Sequence, residues 1–363
     1  MKKQILILAM LTLALLFSAT NMSFGQPWNP ENDYLDAVPT CPAAIPLTCA
    51  TGTGLNPVPG VSYPYTINAS NSSIIHWFVT DDVANIMTGP AAFTANIDPG
   101  DGTGAYMLAS DAAYNNGIGV GSTNTATVNI TWKSFDGAAN EVLLVAYVVG
   151  SPGCTDNIEV FRIVPTYTFT LDIAGLNEDG TVGTEECVGD IQSASYVGTN
   201  LNVVYGDNYV FFIVTAANWQ TSWMPSWTTA NSTLGASTIT SVEWAYADEA
   251  TNTGAWNAVT DPVLASHYTG IVNNGFISEA CIVVRVEVSH AATETLAAED
   301  IVLGINGNME DPEIGGYAGY PDLDEGPAGQ PCVDNVTDEA TYTITPRPTM
   351  TAVTPTPFEN KLP

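Results

Sequence analysis

An all-β fold of two sandwich units in tandem, behind a removable leader, is what this sequence predicts. Three observations carry that expectation. Apolar and polar residues alternate over short runs, and Gly, Asn, Asp and Pro fill the gaps between them. No stretch shows the apolar stripe of a helix. The clearest alternation is ATVNITW at 126–132, where Val128, Ile130 and Trp132 face one way and Thr127, Asn129 and Thr131 the other.

Residues 1–25 read as an export signal. Lys2 and Lys3 precede the apolar run ILILAMLTLALLF, and SATNMSFG supplies small residues before a cut expected between Gly25 and Gln26. The run is short for a membrane span and has no basic flank after it. A mature chain of about 338 residues is therefore expected outside the cell, secreted or at the outer surface, with no membrane insertion.

The lead-in, 26–49, is polar and proline-marked, and ends in CPAAIPLTC. Six cysteines in an exported chain read as disulfides, and without a CxxC pair zinc is not indicated. Cys41 and Cys49 are expected to close a short loop with each other.

The first unit, 50–165, holds HWFVTDDVAN, ATVNITW, EVLLVAYVVG and IEVFRIVP; the third of these is apolar on both faces, as a strand covered on both sides would be. The second, 166–348, holds YTFTLDI, YVFFIVTA, TITSVEWAYA, CIVVRVEV, IVLGI and ATYTIT. Trp77, Trp132 and Trp244 fall on these runs and are expected in the core. A proline-rich tail, 349–363, is expected to be extended and is a candidate strand donor to a neighbour's sheet edge.

A weak repeat links the units. HWFVTDDVAN (76–85) aligns with EWAYADEATN (243–252), and CTDN (154–157) aligns with CVDN (332–335), in the same order. The run HWFVTDDVANIMTG, then ATVNITW, then LLVAYVVGSPGC, resembles the PKD-like, immunoglobulin-like repeats of secreted bacterial surface proteins. Trp77, Val79, Ile86, Gly89, Val128, Ile130, Gly153 and Cys154 carry the resemblance, over about a third of the chain. The WDFGDG turn of stricter PKD repeats is missing. What the resemblance implies is a tandem of sandwiches serving as spacers, adhesion units or matrix subunits.

Charge narrows the partners. Once the leader is removed, five basic residues face 38 acidic ones, a net charge of about −33. Nucleic acid and anionic membrane surfaces would repel such a chain, whereas divalent cations would relieve its repulsion. The acidic turns 96–104, 177–186 and 308–327 have the oxygen-rich composition that calcium takes, although none fits an EF-hand loop. Asp322, Asp324 and Glu325 are the candidate ligands.

NWQTSWMPSW (218–227) sets Trp219, Trp223 and Trp227 at even spacing around Pro225, which argues for an edge strand or a loop. Two readings stand: a ring platform that binds glycans or another protein, with these three as ligand-binding residues, or rings folded inward to cap the sandwich. His76, His267 and His290 are scattered, with no GxSxG elbow and no phosphate loop. Neighbouring acids such as Glu185 and Glu186 point to opposite faces of a strand and make poor acid–base pairs. The expected function is structural or adhesive and without catalysis, through surface or matrix proteins or self-assembly. A carbohydrate-binding protein is the alternative, and a secreted hydrolase has the least support.

Overall fold

A computed structural model of the chain describes residues 32–43, 47–69, 73–84, 86, 106–111, 118–119, 125–135, 141–150, 156–198, 200–270, 279–290, 297–311, 315–328, 330–334 and 336–349. The leader, the acidic turn at 96–104, Gly89, Gly153, Cys154 and tail residues 350–363 lie outside the described residues. The protein is all-β: its described helical structure is one 3-10 segment, Ala265–Gly270, and no described helix is long and apolar enough to cross a membrane.

Seven strands build a first core: β1 (Ser62–Asn68), β2 (Ile74–Thr80), β3 (Met107–Ser110), β4 (Ile118–Gly119), β5 (Thr125–Trp132), β6 (Val142–Val149) and β7 (Asp156–Ile163). They form two sheets, ordered β1-β5-β3 and β4-β2-β6-β7. Alternation decides which side chains fill the space between. Val128, Ile130 and Trp132 of β5 face Trp77 and Val79 of β2 and Leu144 of β6, and all are buried. The Trp132 indole N–H donates to Tyr65 Oη at 2.7 Å, which meets the hydrogen-bonding need of a buried ring. β6 is apolar on both sides, and its second face, through Leu143, Val145 and Tyr147, packs with Phe78 and Ile86.

The remaining strands are β8 (Thr170–Leu176), β9 (Glu185–Cys187), β10 (Ile191–Val197), β11 (Asn200–Tyr205), β12 (Asn208–Ala217), β13 (Ser222–Thr228), β14 (Thr238–Tyr246), β15 (Val263–Leu264), β16 (Glu279–Ser289), β17 (Glu299–Met309), β18 (Tyr320–Pro321), β19 (Leu323–Asp324), β20 (Val333–Asp334) and β21 (Asp338–Thr345). A four-stranded sheet, β14-β16-β12-β8, stacks on the sheet β15-β13-β17-β21-β9, with β18 paired to β17. Val210, Phe212 and Val214 of β12 and Ile282, Val284 and Val286 of β16 point into the space between them. Two short ribbons, β10-β11 and β19-β20, stand apart from these sheets.

The opposite face of β12 and β16 is apolar too, through Phe211, Ile213, Cys281 and Val283, and the lead-in covers it together with Ala247, Ala250 and Trp256 of the loop after β14. Leu35 is fully buried there and donates its backbone N–H to Ala250 O at 3.0 Å. Arg285 of β16 reaches the same layer. Its guanidinium pairs with Asp33 at 3.2 Å and Glu243 at 2.5 Å and lies 4.3 Å over the Trp256 ring. Its charge is thereby met by two carboxylates and an aromatic face while nearly buried.

Two disulfides fix the lead-in, and they correct the expected loop. Cys41 bonds Cys281 and Cys49 bonds Cys332, across separations of 240 and 283 residues. A Cys41–Cys49 pair would hold the lead-in only to itself. The observed pairs hold it to β16 and to the β19-β20 ribbon. Cys187, among the described residues, is exposed and outside both bridges.

Cross-links over such long loops restrict the unfolded chain strongly. Replacing Cys41 and Cys281 together by serine should cost about 2–5 kcal/mol of stability, in the range seen on removing native disulfides. Denaturant unfolding of the mature chain reads this directly. An unchanged midpoint would mean that the lead-in adds nothing to the fold.

Candidate metal centre

The tryptophan stretch does not form a platform. Asn218, in the left-handed region at φ 60°, turns the chain after β12, and Trp219 drops into the core at 1% exposure. Trp223 is completely buried, 5.9 Å from Phe169. Trp227, two turns of the pleat further along β13, is half-buried against the same core. Gly307, paired with Pro225, has no room for a side chain, since a Cβ there would lie 3.1 Å from the Trp223 ring. The expected three-ring platform is corrected for Trp219 and Trp223, which have no face to offer because the stacking of the two sheets consumes them, while Trp227 keeps a partly open ring.

Around the acidic loop the backbone sorts the carboxylates. Beyond β18 the chain runs extended, so Asp322 and Asp324 share a side and Glu325 points away. Glu325 instead accepts from the Thr48 backbone N–H and, at 3.1 Å, from its hydroxyl, beside the Cys49–Cys332 bridge. Glu325 is therefore corrected from ligand to lead-in anchor. The third carboxylate beside Asp322 and Asp324 is Asp338, and one oxygen from each lies within 4.8 Å of the other two. The signal for it is in the sequence: in DEATYTIT, Asp338 occupies the register that carries Tyr342 and Ile344 into the core.

Asp322 is clamped to Gly307 twice. Its backbone N–H donates to Gly307 O at 2.9 Å, and its Oδ1 accepts from Gly307 N at 2.9 Å. Its side chain is fully buried, and Oδ2 has no hydrogen-bond partner; nor has the buried Oδ2 of Asp338. Asp324 Oδ2 accepts from Val336 N at 3.1 Å. Burial first, then the charges of Asp324, Asp172 and Asp322, push the Asp338 carboxyl up to about 7. Burial, with the Asp324 charge adding to it, pushes Asp322 to about 6, against the Gly307 hydrogen bond. Burial also raises Asp324. Close by, the Tyr167 hydroxyl is buried without a partner, and burial and the Asp322 charge hold its pKa above the usual phenol value. All donors gathered here are oxygens, the set that hard divalent cations take.

A second polar cluster lies between the sheets. His290 is fully buried; its Nε2 lies 2.7 Å from Asn208 Oδ1 and its Nδ1 lies 2.7 Å from Ser237 Oγ. Burial lowers its pKa, against the Glu299 charge, and because the Asn208 oxygen can only accept, Nε2 carries the proton donated to it. The Glu299 carboxylate sits 3.7 Å from that same Nδ1. Serine, histidine and acid meet here, yet the acid does not orient the base from its other nitrogen, as a nucleophilic triad requires. Asn208 also donates to Glu186 Oε1 at 2.7 Å and accepts from Gly189 N at 2.8 Å, joining β9 to β12. His267, by contrast, is near the surface, paired with Asp248 at 2.8 Å and stacked on Tyr246.

No family model matches the chain, and no curated protein matches it. Among solved structures it is similar to zebrafish RET cadherin-like domains 1 to 4, at 11% identity and a TM-score of 0.20, covering 76% of this chain and 42% of that one. It is also similar to the major pilin SpaD of Corynebacterium diphtheriae, at 8% identity and a TM-score of 0.22, covering 76% and 59%. A third is the C-terminal domain of the Streptococcus agalactiae AgI/II polypeptide BspA, at 10% identity and a TM-score of 0.20, covering 82% and 96%. The chain thus spans about two fifths to three fifths of the first two. Likeness at this level carries no argument about function, and the all-β assignment rests on the strands themselves.

Burial, opposed by the Asn208 hydrogen bond and reinforced by the Glu178 charge, pushes Glu186 up to about 8 from 4.5. In that window the folded state holds a proton that the unfolded state has lost, so stability falls as pH rises from 4.5 to 8. Glu186→Gln, which cannot ionise, should show a shallower fall over the same window when urea midpoints are compared across pH. Parallel curves for the two proteins would contradict the assignment.

Proposed function

We propose that this protein is an exported structural or adhesive component of the cell surface, built of tandem immunoglobulin-like (PKD-like) sandwiches, that acts by self-assembly and not by catalysis. The observation that carries the reading is the β10-β11 ribbon. Each of its strands pairs in a sheet only with the other, and every position of β10 is exposed. Val197, Leu201, Ile191, Tyr196 and Val204 are all exposed on it, between 40% and 66%.

A second copy of the chain is the occupant favoured by charge. The sequence from 191 to 205, IQSASYVGTNLNVVY, holds no charged residue, in a chain that carries 38 acids. The ribbon therefore offers two copies a surface without the acidic repulsion carried elsewhere in the chain. Proline and lysine, which natural sheets use to blunt an edge, are also missing from it. Like edges meeting about a two-fold axis close into a dimer without further surface. The glycan-binding alternative loses its three-ring platform, since Trp219 and Trp223 are spent inside.

Light scattering of the mature chain tests this. Self-association that rises with concentration should disappear in a Val197→Lys, Leu201→Lys protein and persist in a chain ending at residue 349. A monomer at every concentration would overturn the reading. So would assembly that survives the lysines and is lost with the tail, which would place the contact in the tail instead.

A further inference from the structure

Three carboxylates from two stretches of chain converge, and Asp338 does so in the register that β21 otherwise gives to the core. Asp322 follows β18, Asp324 lies in β19, and Asp338 opens β21. A fully buried carboxylate with an unpaired oxygen is costly unless something positive meets it. Among the described residues no Lys or Arg is paired with any of the three, and hydrogen bonds answer only one oxygen of Asp322 and one of Asp324.

We propose that Asp322, Asp324 and Asp338 bind one divalent cation, of the hard, oxygen-seeking class to which calcium belongs. The spread of their oxygens, within 4.8 Å of one another, matches the span across an ion bonded at about 2.3–2.6 Å. Three carboxylates without histidine or thiolate favour calcium over zinc or copper. Calcium's remaining positions would be filled by main-chain oxygens and water.

Such an ion would act as a rivet. Asp324 belongs to the ribbon next to Cys332, which holds the lead-in through Cys49, whereas Asp338 belongs to β21, a strand of the sheet that holds β13 and β17. Binding would therefore join the disulfide-held ribbon to the sandwich and stabilise the folded state by mass action. This goes beyond self-assembly through β10-β11, and its test does not depend on assembly.

The experiment uses the whole mature chain, stripped with a chelator, and titrates calcium chloride by calorimetry while following thermal unfolding. One saturable site is expected, with a dissociation constant in the roughly 0.1–1 mM range of extracellular calcium modules, together with a raised melting midpoint. Asp338→Asn should abolish both effects and, in chelator, melt no lower than the unaltered chain, since it removes a repelled charge. That second readout separates lost binding from a damaged fold, which Asp322→Asn alone would not. Glu159→Gln, which removes one exposed acid of β7, should leave binding intact and so controls for diffuse attraction to an acidic surface. Absence of saturable heat at millimolar calcium would overturn the proposal. The same would follow from a calcium shift that survives Asp338→Asn, or from tighter binding of magnesium than of calcium.

Discussion

The constraint on which this structure depends is that its central strands are apolar on both faces. β12 and β16 send Val210, Phe212, Val284 and Val286 toward one side and Phe211, Ile213, Cys281 and Val283 toward the other. A sheet made this way cannot leave either face to water. One face is answered by the sheet that holds β13, β17 and β21. The other is answered by the lead-in, which has no strand or helix among its described residues, together with the 247–256 loop. Covalent bonds to β16 and next to the β19-β20 ribbon thus do what hydrogen-bonded pairing does elsewhere.

That constraint explains which features were legible in the sequence. Period-2 alternation located β5 to within a residue, and the uninterrupted run 141–150 announced β6 with both faces covered. Trp77, Trp132 and Trp244 are buried because their strands carry them inward. Harder to read were features set by distant partners. Cys41 and Cys49 are near in sequence, but the lead-in lies flat on a sheet and each sulfur faces a different partner. Even spacing put Trp223 and Trp227 on one side of β13 correctly, yet spacing alone does not say whether that side meets water or another sheet. Among the acids, strand parity would have rejected Glu325 and admitted Asp338.

The chain's charge is handled in two ways. Most acids stay in water, where solvent screens their mutual repulsion. A few are drawn inside and must be answered there. Glu186 is held by the Asn208 amide, which also receives the His290 proton, so this network ties β9, β12 and the end of β16 with matched donors and acceptors. Glu299, Asp322 and Asp338 each keep a buried oxygen without a hydrogen-bond partner, and the last two sit where the stapled ribbon meets the sandwich.

Amide hydrogen exchange on the mature chain, before and after reduction, measures the central claim most directly. The account predicts that β12 and β16 exchange slowest, that the Leu35 amide is protected with them, and that reduction lowers the protection of all three together. A lead-in that exchanges at once while β12 and β16 stay protected, with reduction changing nothing, would show that the second face needs no cover and would contradict the account.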